Sequence, residues 1–544
     1  MTSLAFTKAR WFWPAVIALL AWGAILAALD PTGDHPGLFD GPGLTVDEYF
    51  NVDQGVRLVD RLFAGDLAGF RKIDAQLPDH PPLGRLWIGM CHELAFILSP
   101  PIDSSNVRYS YTCARTGPAT AFAALVFLVG LFAGRWYGRW GGAAAALAVV
   151  LMPRVFGHAH LAALETLVNL SCTAVVLFVA DKWEIDATSW QLVTTRRALA
   201  IAAAGGVLLG LALLTKVQAI LLPIPIAVWM LACQRRRAVP LLLVWGLTGV
   251  ALFFLLWPYL WSAPVAHLQQ YLGRTTNRAT LYVWYFGQVI KDREVAWHYP
   301  WVMFLTTVPV GLQGLGVCGL FGPSGRLWKS PRELLILACT LFPLFVFSVP
   351  GVAVYDGERL FSFVFPLWAV LIGRGAENAR VWALARMSRR AAAVGLGTFL
   401  AAQSYGLWAM APCWLSYYNL AVGGLPGAEK LGLEISYWGD GVTRTLLAEM
   451  AQRVPAGSTV AALPALHERQ WDEVRQQAPA LEAREVQLVP WDATTARRAK
   501  SVLLFVRPEY LPPEFRGRLD EKRVQAAVRR QGVIVAALVE WPPL

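Results

Sequence analysis

Apolar runs long enough to cross a bilayer recur along this chain, and the short loops between them carry Lys and Arg on every second side. The runs fall at roughly 11–29, 116–134, 139–153, 161–180, 198–214, 217–233, 239–257, 301–321, 333–349, 360–373 and 391–411, which predicts eleven crossings of about 20 residues each. The basic clusters are Lys8 with Arg10, Arg135 with Arg139, Lys182 with Arg196 and Arg197, Arg235 to Arg237, Arg326 with Lys329 and Arg332, and Arg374 to Arg390. All lie in alternate loops, so these loops are expected inside and the N-terminus with them. The intervening loops, above all 30–115 and 258–300, and everything after 411 are then outside. Segment 85–99 is short and carries His92 and Glu93, so it reads as a juxtamembrane or re-entrant helix. Counting it as a span would put the later basic clusters on the wrong side.

Composition agrees with a bilayer rather than water as the solvent of the fold. The chain is 56% hydrophobic and only 16% charged over 544 residues. Its 24 tryptophans suit the membrane interface, where an indole keeps its N–H wet and its ring in apolar surroundings. A net charge of +11 would fit nucleic acid if it lay on one soluble face. The charge is instead spread through short loops, so no nucleic-acid partner is expected and membrane lipids are. The first apolar run follows a basic N-terminus but lacks a small-residue cleavage site before Asp30, and reads as a retained anchor. Seven cysteines show no C-x-x-C pair and no metal-ligand spacing; Cys91 and Cys113 share the outer side, where a disulfide is permitted.

From about residue 431 the composition turns mixed and polar, which divides the chain into a membrane domain, 1–430, and a small α/β domain, 431–544, outside the membrane. Strand-like runs lie at Ser458–Leu463, Val486–Trp491, Ser501–Val506 and Val533–Trp541, with helical stretches at Val442–Arg453 and Asp520–Arg530. Gly423, Gly424, Pro426 and Gly427 supply a hinge. No catalytic constellation is visible in the tail, which reads as an accessory domain for docking an acceptor.

Chemistry-bearing residues gather at the outer ends of spans. Thr45-Val46-Asp47-Glu48 follows the first span, and two adjacent carboxylates there suit a general base or a cation site. The plain alternative is a solvated loop with a helix N-cap at Asp47. Asp79-His80-Pro81-Pro82 rigidifies the entry to the next helix. Arg154, His158, His160 and Glu165 mark the outer end of one span and the start of the next, and a helix already running from His158 would set Glu165 two turns along its face. A carboxylate at the mouth of a span faces a cavity rather than lipid. His158 and His160 are weak metal candidates without a fourth ligand, and hydrogen-bonded interfacial histidines are the ordinary alternative. Lys216 and Arg359 are cations on the side that the charge bias leaves poor in them; each suits a lipid phosphate, or else snorkels, and Arg359 has Asp356 and Glu358 beside it as partners.

The order of these motifs resembles the GT-C membrane glycosyltransferases: Asp-Glu after span one, His-Pro-Pro-Leu before the next helix, an acid at the outer start of a later span, and Leu-Thr-Lys before Pro223. The nearest resemblance is to the family of protein O-mannosyltransferases and lipid A aminoarabinose transferases, over about residues 10–420. It implies a polytopic α-helical enzyme that moves a sugar from a polyprenyl phosphate to a lipid, glycan or protein acceptor outside a bacterial cytoplasmic membrane, with inversion. Asp47 is then the catalytic base with Glu48 beside it, and Glu165 is the second acid. Lys216, Arg359 and His80 are the donor-phosphate residues. His80 stands where the aminoarabinose enzymes carry lysine, and Glu165 where they carry aspartate. Tyr418-Asn419 and Tyr437-Trp438-Gly439-Asp440 also resemble bacterial relatives, without a role attached. No cofactor is required, since Lys216 and Arg359 can neutralise the phosphate, while Asp47 with Glu48 or Glu165 leaves a divalent metal open. A secondary transporter would show paired halves and charges at mid-membrane. A non-catalytic scaffold would tolerate loss of Asp47.

Overall fold

The computed structural model describes residues 2–102, 109–183, 196–276, 279–322, 325–326, 330–467, 469–492, 494, 498–516 and 519–541. Lys329, from one of the basic loop clusters, lies outside these residues. The body is helical and a five-stranded sheet domain follows it. The first eight helices are α1 (Thr2–Leu26), α2 (Val46–Phe63), α3 (Leu67–Asp74), α4 (Pro82–Leu98), α5 (Tyr111–Val150), α6 (Pro153–His158), α7 (Glu165–Lys182) and α8 (Arg196–Leu213).

Helix α5 runs without interruption by hydrogen bonding but breaks at Gly138, whose φ of 84° suits glycine. Its two arms fold back on each other so closely that a Cβ on Gly142 would sit 2.6 Å from the Cα of Gly134. The break falls between the two expected spans, 116–134 and 139–153. The same economy of side chains lets α1 cross α5, where a Cβ on Gly130 would meet Pro14 at 2.7 Å. Three described helical stretches are long and apolar enough to cross a membrane: Tyr111–Val150, Arg196–Leu213 and Val217–Leu255. A fourth is reached if Tyr299–Thr306 and Val310–Leu320, bent by 107°, count as one span. The expected short segment 85–99 falls in helix α4, which packs against α2. Gly55 and Gly89 let α2 and α4 touch, since a Cβ on Gly89 would lie 2.3 Å from the carbonyl oxygen of Gly55.

Several local expectations are corrected. The N-cap of α2 is Thr45 rather than Asp47, with the Glu48 carboxylate accepting the Thr45 N–H at 2.9 Å. Helix α6 ends at His158 and the chain turns before α7 opens at Glu165, so no continuous helix joins them. Cys91 and Cys113 are both free thiols, in keeping with their reading as small hydrophobes rather than a disulfide pair. The glycine-rich stretch at 423–427 is no open hinge: it forms the short helix Gly424–Lys430, held by Gln531 through the Leu425 N–H at 2.8 Å.

In the tail, the strands run in the order Gln487–Pro490, Thr459–Leu463, Ser501–Phe505, Val533–Glu540, Val524–Arg530. The first three pair in parallel and the last two join antiparallel. The expected helix at 520–530 is thus mostly a strand. Gln531 and Gly532, with φ of 49° and 83°, close a two-residue hairpin turn, and pairing with Val533–Glu540 outweighs the helical preference of Ala526 and Ala527. The domain is bolted to the helical body. Arg444 donates to Asp30 at 2.8 Å, Tyr111 donates to Glu473 at 2.9 Å, and the Asp440 carbonyl accepts the Gly43 N–H at 2.8 Å.

Candidate active site

Four segments distant in sequence bring their singled-out residues to one cavity of about 260 Å³. Asp47 comes from the first turn of α2, Glu165 opens α7, Lys216 follows α8, and Arg359 opens a single 3₁₀ turn, Arg359–Phe361. His80 reaches the same cavity from the segment before Pro82, with Asp79, Asn51 and Arg85 around it.

The charges form one network. Glu165 accepts from Lys216 Nζ at 2.5 Å and from Arg359 Nε at 2.8 Å through a single oxygen, Oε1. Arg359 also donates Nη1 to Asp356 Oδ2 at 2.9 Å and Nη2 to Asp47 Oδ2. Its guanidinium lies over the Trp438 ring, 4.3 Å from the centroid. Glu165 and Lys216 are buried, whereas the Asp47 side chain keeps 31% of its surface exposed and so meets whatever enters. Burial pushes the Asp47 carboxyl above the ordinary carboxylate range, and the neighbouring Arg359 pulls it back. Burial drives the His80 imidazole down to about 3, which favours its neutral form.

Glu48 is not a second cavity acid. Its carboxylate turns away from the cavity and is gripped at both oxygens by Arg115, at 2.7 and 2.8 Å, and it also accepts the Ala162 N–H at 2.7 Å. Arg115 spends its remaining donors on the carbonyls of Leu29, Pro42 and Gly43 at 2.7–2.9 Å. With Thr45 added, every side of Glu48 is occupied, so it anchors the start of α2 instead of taking protons. Arg359 pairs with Asp356 rather than Glu358, because Glu358 is taken by Arg154 at 2.6 Å.

The two histidines stand apart from this cavity. His160 donates Nδ1–H to the Phe156 carbonyl at 2.9 Å and lies against Trp414, while His158 packs edge-on to Trp438 with Glu358 at 3.7 Å. Among the described residues no group of three or more His, Cys, Asp or Glu converges in a way that would hold a metal ion.

Two cavity residues carried no motif. Asn51 sits one helical turn after Asp47 and donates to the Ala162 carbonyl at 3.2 Å. Arg85 binds Asp79 at 2.9 Å and the Leu77 carbonyl at 2.8 Å, locking the His80 segment over the cavity. Helical spacing from Asp47 was the available signal for Asn51; for Arg85 it was the unusual arginine in an apolar helix.

No protein-family model matches the chain, and no curated protein matches it in sequence. Solved structures do. ArnT from Cupriavidus metallidurans in the apo state aligns over 91% of this chain and 92% of its own, with a TM-score of 0.53 and 14% identity. The same protein bound to undecaprenyl phosphate aligns over 97% of both chains with a TM-score of 0.48 and 14% identity. The archaeal oligosaccharyltransferase AglB from Archaeoglobus fulgidus aligns over 91% of this chain and 69% of its own, with a TM-score of 0.43 and 12% identity. The chain is a membrane protein, mostly helical with a small C-terminal sheet domain, and it has the fold of ArnT.

Proposed function

We propose that this chain is a glycosyltransferase that moves a sugar from a polyprenyl phosphate to an acceptor hydroxyl on the outer side of a bacterial cytoplasmic membrane. The observation that carries the reading is the convergence of Asp47, Glu165, Lys216 and Arg359 on one cavity, where Glu165 joins the two cations and Arg359 reaches the partly exposed Asp47 carboxylate. The ArnT fold and the motif order support it. The proposal includes eleven crossings, an N-terminus inside and the tail outside, as the alternating basic loops require.

A sugar on a phosphate already has a good leaving group, so the protein supplies a base and a place for negative charge. In the empty site Asp47, Glu165 and Asp356 share Arg359, and Lys216 rests on Glu165. An arriving lipid phosphate competes with Asp47 for the Arg359 guanidinium. As that pair loosens, burial raises the Asp47 pKa further, and the carboxylate becomes a stronger base at the moment substrate is present. Asp47 then takes the proton of the acceptor hydroxyl and the oxygen attacks the anomeric carbon. The bond from that carbon to the phosphate oxygen breaks, and its electron pair leaves with the polyprenyl phosphate, whose charge Lys216 and Arg359 hold. A single direct displacement inverts the anomeric centre.

Two experiments test this reading. Lipid extracts of cells lacking the gene should accumulate one polyprenyl-phosphate sugar; an unchanged lipid profile contradicts the assignment. A cysteine placed at the exposed Ala483 should react with an impermeant reagent from outside intact cells, and labelling only after lysis overturns the topology.

A further inference from the structure

The tail reaches the site. Trp438 lies after the last apolar run, yet its ring forms the floor under the Arg359 guanidinium at 4.3 Å. Arg507, which follows the strand Ser501–Phe505 in the sheet domain, donates Nη2 to Asp356 Oδ1 at 2.8 Å. The other oxygen of that carboxylate, Oδ2, accepts from Arg359 Nη1 at 2.9 Å. Asp356 is therefore a bridge with one guanidinium on each oxygen.

The bridge is rigid at both ends. Asp356 and Gly357 hold φ of 56° and 63°, a left-handed pair that glycine takes freely and aspartate more readily than most residues, and two arginines hold the Asp356 carboxylate there. Arg507 is 4% exposed and is itself pinned by Glu509 at 2.6 Å and by the Tyr437 carbonyl. Tyr437 immediately precedes Trp438, so the two supports of Arg359 are tied to each other within the tail.

We propose that the sheet domain is a working part of the donor-phosphate site, with Trp438 and Arg507 as positioning residues that fix the direction of Arg359. The inference rests on the reading of Arg359 as a phosphate-binding cation and goes beyond it, because a tail of soluble composition would otherwise serve only for acceptor docking. Physically, one Asp356 oxygen occupied by Arg507 leaves only the other for Arg359. Without Arg507, Asp356 takes Arg359 bidentately and draws it off the phosphate position. Without the Trp438 ring, the guanidinium loses the face that keeps its plane directed into the cavity.

The test uses the full chain in nanodiscs, with undecaprenyl phosphate as the probe and thermal unfolding as the folding control. Trp438→Leu and Arg507→Met should each weaken binding about tenfold, while Trp438→Phe and Arg507→Lys retain most of it. In an Arg359→Met background neither change should cost further affinity, which a merely structural role would not produce. Losses that add to that of Arg359→Met, or no loss in a folded Trp438→Leu protein, overturn the proposal. If Arg507→Met fails to fold, the Trp438 pair decides. A wild-type chain that does not bind undecaprenyl phosphate overturns the functional reading instead. The position of Arg359 in a structure of Trp438→Leu then judges this inference alone: displacement from Asp47 and Glu165 upholds it, and an unmoved guanidinium overturns it.

Discussion

The knot of Arg115 with Glu48 and the network of Arg359 with Asp47 both join an arginine to the first turn of α2, one residue apart. The first is sealed: neither side chain has any exposed surface, and each donor and acceptor has a protein partner. The second opens onto a cavity, and its carboxylate is nearly a third exposed. Adjacent residues on a helix point about 100° apart, so one turn can present a structural acid to the interior and a chemical one to the substrate. The sealed pair should hold the fold, and the open one should carry the reaction.

The largest expected effect breaks the sealed side. Arg115→Met leaves Glu48 charged and buried without its partner, which costs about 3–5 kcal/mol, and the purified variant should unfold far earlier on heating. Arg359→Met should move unfolding much less, because Asp47 can turn to water. Equal destabilisation by both variants would erase the distinction between knot and network.

Asp440 sharpens the comparison as a third kind of carboxylate. It is 1% exposed, and neither of its oxygens has a hydrogen-bond partner. Burial pushes its pKa up to about 6 from an unfolded value near 3.8. The folded state therefore holds this proton more tightly than the unfolded one, so its stabilising effect is complete below pH about 4 and is lost as pH rises through about 6. Asp440→Asn should remove that dependence and raise stability at pH 7 by up to about 3 kcal/mol, read as the unfolding temperature across that range. An unchanged pH profile would mean that the carboxylate is satisfied after all.

A smaller effect probes the open side. Lys216→Ala should weaken undecaprenyl-phosphate binding about tenfold, the usual worth of a charged hydrogen bond, and Lys216→Arg should weaken it less. Equal and negligible effects would leave Lys216 only the role of a buried partner to Glu165.

The open network was the more legible of the two in sequence. Asp47, Glu165, Lys216 and Arg359 each sit near the end of an apolar run in the sequence, where charge is conspicuous, and the structure brings all four to one cavity. The sealed knot was not legible. Arg115 precedes a long apolar run like an ordinary interfacial cation, and only the fold shows Leu29, Pro42 and Gly43 turning their carbonyls toward it. Arg507 was hidden for the same reason, since its partner Asp356 lies 151 positions away. Composition separated the tail correctly as a polar sheet domain, but composition reports what surrounds a surface and not which single side chains cross it. The strand Val524–Arg530 was misread because its alternation is weak and its pairing partner, not its own propensity, decides its shape.

Asp47→Asn is the measurement that bears most directly on the division between the two arginine–carboxylate assemblies. The substitution keeps the size of the side chain and can still accept from Arg359, but it cannot take a proton at neutral pH. Sugar transfer from a purified polyprenyl-phosphate donor should fall about a hundredfold or more, with donor binding and unfolding temperature close to those of the wild type. In the wild type, kcat/KM should decline as pH falls through the raised Asp47 pKa, and that limb should be absent from the residual activity of the variant. Transfer by Asp47→Asn at near the wild-type rate, or a loss traced to failed folding, would contradict the account.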